Sequence, residues 1–554
     1  MKKGGGWLPW HVAMLLVAAF WLLTEGSTLA SVNLPLHHWT YEAIERLVAM
    51  GVIDRAMVVP KPYSRKQAAK YVARAIDHVS EVPTTLEGQE AVAGLLVNRL
   101  LHEFRVELVD LGVLPGERGA QPGLFRYGIR TQLEANAFSV GHGSVRFREN
   151  RGGEYYANGE QVQNNVRGWL ELTDALALTV QPKFISNQHV LGIGANDNSK
   201  NSYLREFNAK FSAFNVALEV GRGTLWWGPG YHGSLLLTDH PFPLDMIKLG
   251  SDEPFRLPWV FKSLGEWKVN SFLAQLERDR DFPRAKVFGL RLSYLPANWL
   301  ELGITRLTQF NGRGNPQSFP QIIFDSYTGP ANPTGGKEVN EQAMLDARVR
   351  VPHVPYLVPF PAGAQLYGEL AGEDHWVSSG PQVRITPLAP AFLTGIYVPQ
   401  VLKDDTLDLR VEYADTVIAA YNSGTGTHPN LWYNNFFYVS GMRYRGFPLG
   451  HHMGTDAKDF FVRTTRYLTD DIQLGVNFNL QRRALLGPSP ERKTETALDL
   501  TWWVSSQMQF TLGYTYQRIK NPGQITSINP FVETFESGVT STNHFLWTNL
   551  TVEF

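Results

Sequence analysis

The sequence predicts a mainly β protein: a transmembrane antiparallel β-barrel of about 16–20 strands, with about 18 favoured, carrying a small N-terminal α-helical bundle. Three observations lead there. Long stretches alternate apolar and polar residues with a period of two. Beyond the first thirty or so residues, no apolar run reaches the ~20 residues that a spanning helix needs. The chain ends on Phe554, an aromatic residue closing one of the alternating stretches.

The first residues read as a secretory leader. Lys2 and Lys3 precede an apolar run, Val12 to Leu23, and the small residues Thr28 and Ala30 follow it. The expected leader spans 1–30, with cleavage after Ala30, and predicts export in a bacterium to the outer membrane. Residues 31–119 are expected to form a periplasmic helical bundle. Tyr41, Ile44, Leu47 and Val48 share one helical face. Gly51 suits a left-handed stop. Ser64 is placed as an N-cap ahead of the stripe Ala68, Tyr71, Val72 and Ile76. A third helical run, 86–108, carries Leu95, Leu96, Leu100 and Phe104.

From residue 120 to 554 the expectation is the barrel. In LFRYGIRTQLEANAF, Tyr127, Ile129 and Leu133 share one face, and Arg126, Arg130, Gln132 and Glu134 share the other. LALTVQPKF, DIQLGVNFNLQRR, MQFTLGYTYQR and the terminal HFLWTNLTVEF repeat the pattern. KVFGLRLSYLPANWLELGITRLTQF reads as a hairpin turning at Leu295–Asn298. In lipid, a closed barrel satisfies every strand's backbone groups. About 430 residues at roughly 20–26 per strand and connection give the strand number. Thr173–Asp174 and Leu295–Asn298 are expected to be periplasmic turns. The stretches 141–165, 185–202, 311–340 and 421–432 are expected to be outer loops. No period of 40–50 residues points to a propeller.

Composition narrows the function. Lys+Arg 51 against Asp+Glu 52 gives a net charge of -1, which argues against nucleic acid as a partner. The absence of cysteine excludes disulfides and thiolate metal sites. No HExxH spacing and no nucleophile elbow occur. His451–His452 with Asp456 and Asp459 read as a polar loop, not a metal site. No catalytic residue, metal or cofactor is expected. Glu373 and Asp374 are adjacent, so they point apart on a strand and cannot flank one glycosidic bond. A strand-end role, or a salt bridge from this pair to a lumen arginine such as Arg306 or Arg410, is expected.

The stretch GRGTLWWGPGYHGSLLL is the most concentrated candidate. Trp226, Trp227, Tyr231 and His232 offer faces for sugar stacking, and Arg222 and Asp239 offer hydrogen bonds. The segment is expected to bend at the barrel rim, with one tryptophan in the interfacial girdle and the other toward the lumen or a sugar. An inward fold that narrows the lumen is the other option. Arg222, Trp226, Trp227, Tyr231, His232, Arg306, Glu373, Asp374 and Arg410 are the polysaccharide-binding or lumen candidates.

WWGPGYHGSLLL, AKVFGLRLSYLPANWLELGITRLTQFNGRG, LYGELAGEDHW, LDLRVEYADT and YRGFPLGHHMGTDAKDFF occur in this order. Together they resemble the capsule assembly protein Wzi family, outer-membrane barrels with a periplasmic helical bundle. The resemblance implies a non-enzymatic barrel that binds capsular or other surface polysaccharide and helps assemble or retain it. HHWTYEAIERLVAMGVID followed by a Pro-Tyr-Ser-Arg-Lys helix start resembles one S-layer-homology repeat, which implies contact with peptidoglycan. A bundle packed on the barrel is the alternative for that module. A porin or sugar channel is the alternative for the whole chain.

Overall fold

The computed structural model describes residues 30–81, 91–115, 126–142, 145–147, 149–173, 175–186, 201–318, 339–354, 356, 358–373, 391–417, 419–420, 426–427, 431–524 and 534–554. The expected leader lies outside the described residues apart from Ala30, and so does the expected 119/120 boundary.

The alternating stretches form an 18-strand closed antiparallel barrel. Its strands are β1 (Arg126–Val140), β2 (Gly159–Thr173), β3 (Leu176–Ile185), β4 (Ser202–Ala213), β5 (Val216–Gly223) and β6 (Leu244–Ser251). Then come β7 (Glu266–Gln275), β8 (Lys286–Ala297), β9 (Leu300–Phe310), β10 (Asn340–Val351), β11 (Ala364–Glu373) and β12 (Ala391–Val398). The circle is completed by β13 (Leu407–Asp415), β14 (Lys458–Tyr467), β15 (Ile472–Arg483), β16 (Glu491–Trp503), β17 (Met508–Lys520) and β18 (Thr540–Glu553). β18 pairs with β1 from Arg130↔Glu553 to Val140↔Asn543, so no barrel strand is left with an open edge.

The two faces are inverted relative to a soluble sheet. Tyr127, Ile129, Leu133, Leu218, Val220, Leu366, Leu370 and Leu512 point outward and are exposed. Arg130, Arg167, Glu219, Lys268, Glu301, Glu369 and Arg410 point inward and are buried. Glycine makes room for this charge. A Cβ on Gly303 of β9 would lie 2.2 Å from the Arg291 guanidinium and 2.5 Å from the Asp346 carboxylate. Its absence lets Arg291 of β8 reach across β9 to Asp346 of β10, at 2.6 and 2.9 Å. The arrangement recurs at Gly475 of β15, where Arg463 of β14 meets Asp499 of β16 at 2.8 and 3.2 Å. Elsewhere an aromatic ring covers the facing glycine: Trp169 on Gly128, Phe272 on Gly289, Tyr367 on Gly395 and Trp547 on Gly513.

The helical module comprises α1 (Trp39–Met50), α2 (Arg65–Glu81), α3 (Ala91–Glu103) and α4 (Arg105–Asp110). Gly51 adopts φ 84° and its N–H reaches Val48 O at 3.1 Å. Ser64 Oγ accepts from Gln67 N at 3.1 Å, the predicted cap. The third expected run is broken at Phe104 into α3 and α4. Ile44, Leu47, Val72, Leu100, Phe104 and Leu108 form the module's core. Its outer face meets the short turns of the barrel. Val92 N donates to Asp405 Oδ2 in the β12–β13 turn at 3.1 Å. The Arg99 guanidinium lies 4.0 Å from the Trp503 ring at the β16–β17 turn. Lys66 approaches Glu253 in the β6–β7 connection at 3.9 Å.

Two local expectations are corrected. β8 continues through Pro296 to Ala297, so its turn is shorter than Leu295–Asn298. β2 begins at Gly159, inside the stretch expected to be loop up to 165.

Gly303→Ala is expected to destabilise the barrel by about 1–3 kcal/mol through overpacking against the ion pair. Gly168→Ala, whose Cβ would meet Val180 at an ordinary 3.7 Å, is the matched control. Urea titration of folded protein on heat-modifiable gels reads the difference.

Candidate functional site

Two connections on the long-loop end turn back into the lumen: 224–243 between β5 and β6, and 431–457 between β13 and β14. Their apolar residues find no lipid there and pack on one another. Trp227, Leu235, Leu236, Trp432, Tyr433, Tyr438, Met442, Leu449 and Met453 are buried in one cluster with Phe272, Tyr367 and Tyr397 of the wall. Two wall carboxylates hold the first segment by its backbone. Glu369 accepts from Gly230 N at 3.1 Å, from Leu235 N at 2.7 Å and from Ser234 Oγ at 3.2 Å. Glu412 accepts from Tyr231 N at 2.7 Å and His232 N at 3.1 Å. Gly228, at φ 154°, leaves the space that the Glu369 carboxylate fills; a Cβ there would lie 2.2 Å from it. The second segment locks onto the first: Tyr433 OH donates to Leu235 O at 2.5 Å, and His451 N donates to that hydroxyl at 2.7 Å.

The tryptophans are neither girdle nor rim. Trp226 and Trp227 pair in register with Lys61 and Pro60 of the helical module, an antiparallel two-residue ladder inside the barrel. Trp227 is 1% exposed and meets Phe272 edge-on at 5.3 Å. Trp226 is buried and donates from Nε1 to Gly230 O at 3.0 Å. The expectation of a bend at the rim is therefore corrected: both rings are spent on packing, and the inward fold is the one observed. Asp239 is likewise buried, bonded to His37 Nε2 at 2.5 Å.

The other described candidates fall at five places. Tyr231 OH donates to Glu42 of α1 at 2.9 Å. Arg410 pairs with Glu45 of α1 at 3.2 Å, and its guanidinium sits 4.4 Å from the Tyr231 ring and 4.1 Å from the Tyr397 ring. Plug, wall and module thus meet at Arg410. His232 Nδ1 donates to Asp459 Oδ2 at 2.7 Å, and the ring stacks flat on Phe461 at 3.9 Å. Glu373 accepts from Tyr433 N at 2.7 Å and from Gln342 at 2.6 Å. The expected bridge from Glu373 to Arg306 or Arg410 is replaced: Arg306 pairs with Glu341 at 2.5 Å, and Arg410 with Glu45. Arg222 makes a cross-strand pair with Asp245 at 2.7 and 3.0 Å, near the β5 end. Asp374 lies outside the described residues.

The sequence matches the capsule assembly protein Wzi family over residues 132–527. The chain belongs to that family. An uncharacterised 55.8 kDa protein from the cps region of Klebsiella pneumoniae is 32% identical over 206 residues, 37% of this chain and 38% of that protein. The alignment thus spans little more than a third of that relative. The fold is similar to that of Escherichia coli Wzi, described as an outer-membrane protein involved in group 1 capsule assembly and a carbohydrate-binding β-barrel. That similarity has a TM-score of 0.64 at 17% identity, covering 94% of this chain and 99% of the other.

In this Wzi-family chain the residues that organise the lumen and escaped sequence reading are Glu369 and Glu412. Each sits on an inward position of an alternating strand, LYGELAGE and LDLRVEYAD, which was the available signal. Nothing in either strand indicates that its carboxylate accepts from backbone N–H groups 134 to 181 residues away. Among the described residues, donor atoms converge in two groups able to hold an ion, His232/His452/Asp459 and His38/Glu103/Glu553. In the first, the donors already bond one another, His452 Nε2 lying 3.4 Å from His232 Nδ1.

Two plug histidines carry a pH dependence. Burial pushes His240 down to about 3, against the opposing pull of Glu149 and Asp239 and with support from His451 and Arg483. Burial pushes His451 down to about 4, opposed by Asp459 and Glu149 and supported by His232 and Lys493. Both rings are neutral in the folded plug at pH 7 and regain a value near 6.5 when it unfolds. The unfolded state then binds more protons below 6.5, so plug stability is full above that pH and falls as pH drops toward 4. Limited proteolysis of 224–243 and 431–457 is expected to accelerate between pH 7 and 5, and His240→Gln to flatten the profile. Trp227→Ala is expected to cost about 3–5 kcal/mol, seen as proteolysis of the plug already at pH 7.

Proposed function

We propose that this chain is a non-enzymatic outer-membrane barrel that binds capsular or other surface polysaccharide and helps to assemble or retain it at the cell surface. The observation that carries this reading is the lumen itself. Plug segments fill its long-loop end, the helical module covers the short-turn end, and Arg410 ties both to the wall. Such an interior supports holding a polymer at the surface over passing small solutes, and so favours the binding barrel over a porin. The family membership and the description of Escherichia coli Wzi as carbohydrate-binding support the same ligand class. The exposed apolar wall supports outer-membrane lipid as the surrounding solvent. By the usual asymmetry of such barrels, the long-loop end faces the cell exterior and the module faces the periplasm. Leader 1–30 would deliver the chain there. Docking of α1 and α3 on the barrel turns supports closure as the module's role over tethering to peptidoglycan.

Deleting the gene in its capsulated host is expected to move polysaccharide from the cell-bound to the released fraction, with total synthesis unchanged. Equal cell-bound fractions in the two strains would refute the proposal.

A further inference from the structure

At the long-loop end, beside the plug, a cleft of about 550 Å³ opens between the β7–β8 connection (276–285) and the start of the β9–β10 connection (311–318). That volume is within the range of ligand clefts. Arg278, Arg284, Lys286 and Arg313 line it, with Gln275 and Asn311 among the rest, and among the described residues no carboxylate does. Among the described residues no ion pair or side-chain hydrogen bond engages these four cations. Their neighbour Arg280 is committed instead, to Glu277 at 3.5 Å and Asp281 at 3.8 Å. Asp279 is exposed on the same connection but does not line the cleft. In a chain of net charge -1, whose wall arginines pair with acids, four unanswered cations at one opening are a local excess.

The walls are fixed from below by the plug. Arg280 donates to Arg443 O at 3.1 Å and to Gly441 O at 2.9 Å. Phe282 stacks on Phe437 at 4.7 Å and meets Tyr438 at 5.0 Å. Tyr438 OH donates to Asn311 O at 2.9 Å, and Arg313 N donates to Pro283 O at 2.9 Å, joining the two connections. Arg284 holds φ 60°, a region that side chains usually avoid, while Asn311 at the same φ is of a type that tolerates it. Backbone strain of this kind persists where surrounding structure enforces it, and it collects at ligand sites.

We propose that this cleft binds a glycan bearing negative charge on repeated sugars. The inference rests on the polysaccharide reading above and names the class of polymer. Guanidinium groups match carboxylate and phosphate oxygens with two parallel hydrogen bonds. The Gln275 amide adds donors and an acceptor for hydroxyls. A neutral glycan gains only the hydroxyl contacts, whereas a polyanion meets several cations at once and gains by multivalency.

The test uses the purified full-length protein in detergent, with polygalacturonate and dextran as probes in calorimetric titration. Polygalacturonate is expected to bind, weakening as salt rises, and dextran to bind far less. The combined variant R278Q/R284Q/R313Q is expected to lose about tenfold or more in polygalacturonate affinity, while its heat-shifted gel band reports an intact barrel. Dextran binding as tightly as polygalacturonate, or affinity indifferent to both salt and the variant, overturns the inference. So does lipopolysaccharide binding through these arginines with polygalacturonate ignored. If deletion of the gene alters polymer retention but the variant does not alter affinity, this inference fails alone; if deletion alters nothing, the broader reading fails.

Discussion

Burying a charge inside a barrel costs several kcal/mol unless a partner meets it, and the inner wall here carries charge on strand after strand. One part of that charge is settled within the wall. Arg291–Asp346 and Arg463–Asp499 span a glycine, Arg348 meets Glu301 at 3.0 Å, and Lys248 meets Glu219 at 2.7 Å. The other part reaches inward. Glu369 and Glu412 collect backbone N–H groups of the plug, Glu301 collects Val58 N and Val59 N of the module, and Arg410 takes Glu45. The plug and the module are thereby the counter-charges and hydrogen-bond donors that the wall requires. Removing either would leave buried carboxylates and guanidinium groups exposed to an emptied lumen.

The two lumen bodies also meet each other. Pro60–Lys61 pair with Trp226–Trp227, Tyr231 reaches Glu42, and His37 reaches Asp239. The interior is one connected body from the short turns to the long loops. The same continuity supports the surface: the plug arm 431–445 carries Phe437, Tyr438 and the carbonyls that fix the wall of the basic cleft. The rigidity of an outer binding surface then derives from a hydrophobic core inside the barrel, not from the loops alone.

Sequence reading captured what period two and capping chemistry encode. The inverted faces of β1, the Gly51 stop and the Ser64 cap are all local, and each is where the pattern placed it. The family resemblance is likewise carried by contiguous words. What escaped is long-range. Tryptophans at 226 and 227 read the same whether they line a girdle or pack in a lumen, because both settings are apolar with a polar edge. Only the Lys61 and Pro60 partners, far away in sequence, decide between them. Glu373 illustrates the same limit, since a strand-end acid near arginines looks like a salt bridge until a backbone N–H from Tyr433 takes its oxygen. The basic cleft was hidden because its four cations come from two connections and the first residue of β8, and the sequence gives no sign that they stand without acids.

Inward charge is spent on holding the lumen closed. Conductance of the purified full-length protein in a planar bilayer tests it most directly. The account predicts a silent barrel at neutral pH, with steady openings only when the Glu369 and Glu412 caps are removed together by substitution to Ala. A large, steady open channel from the unmodified chain would contradict it.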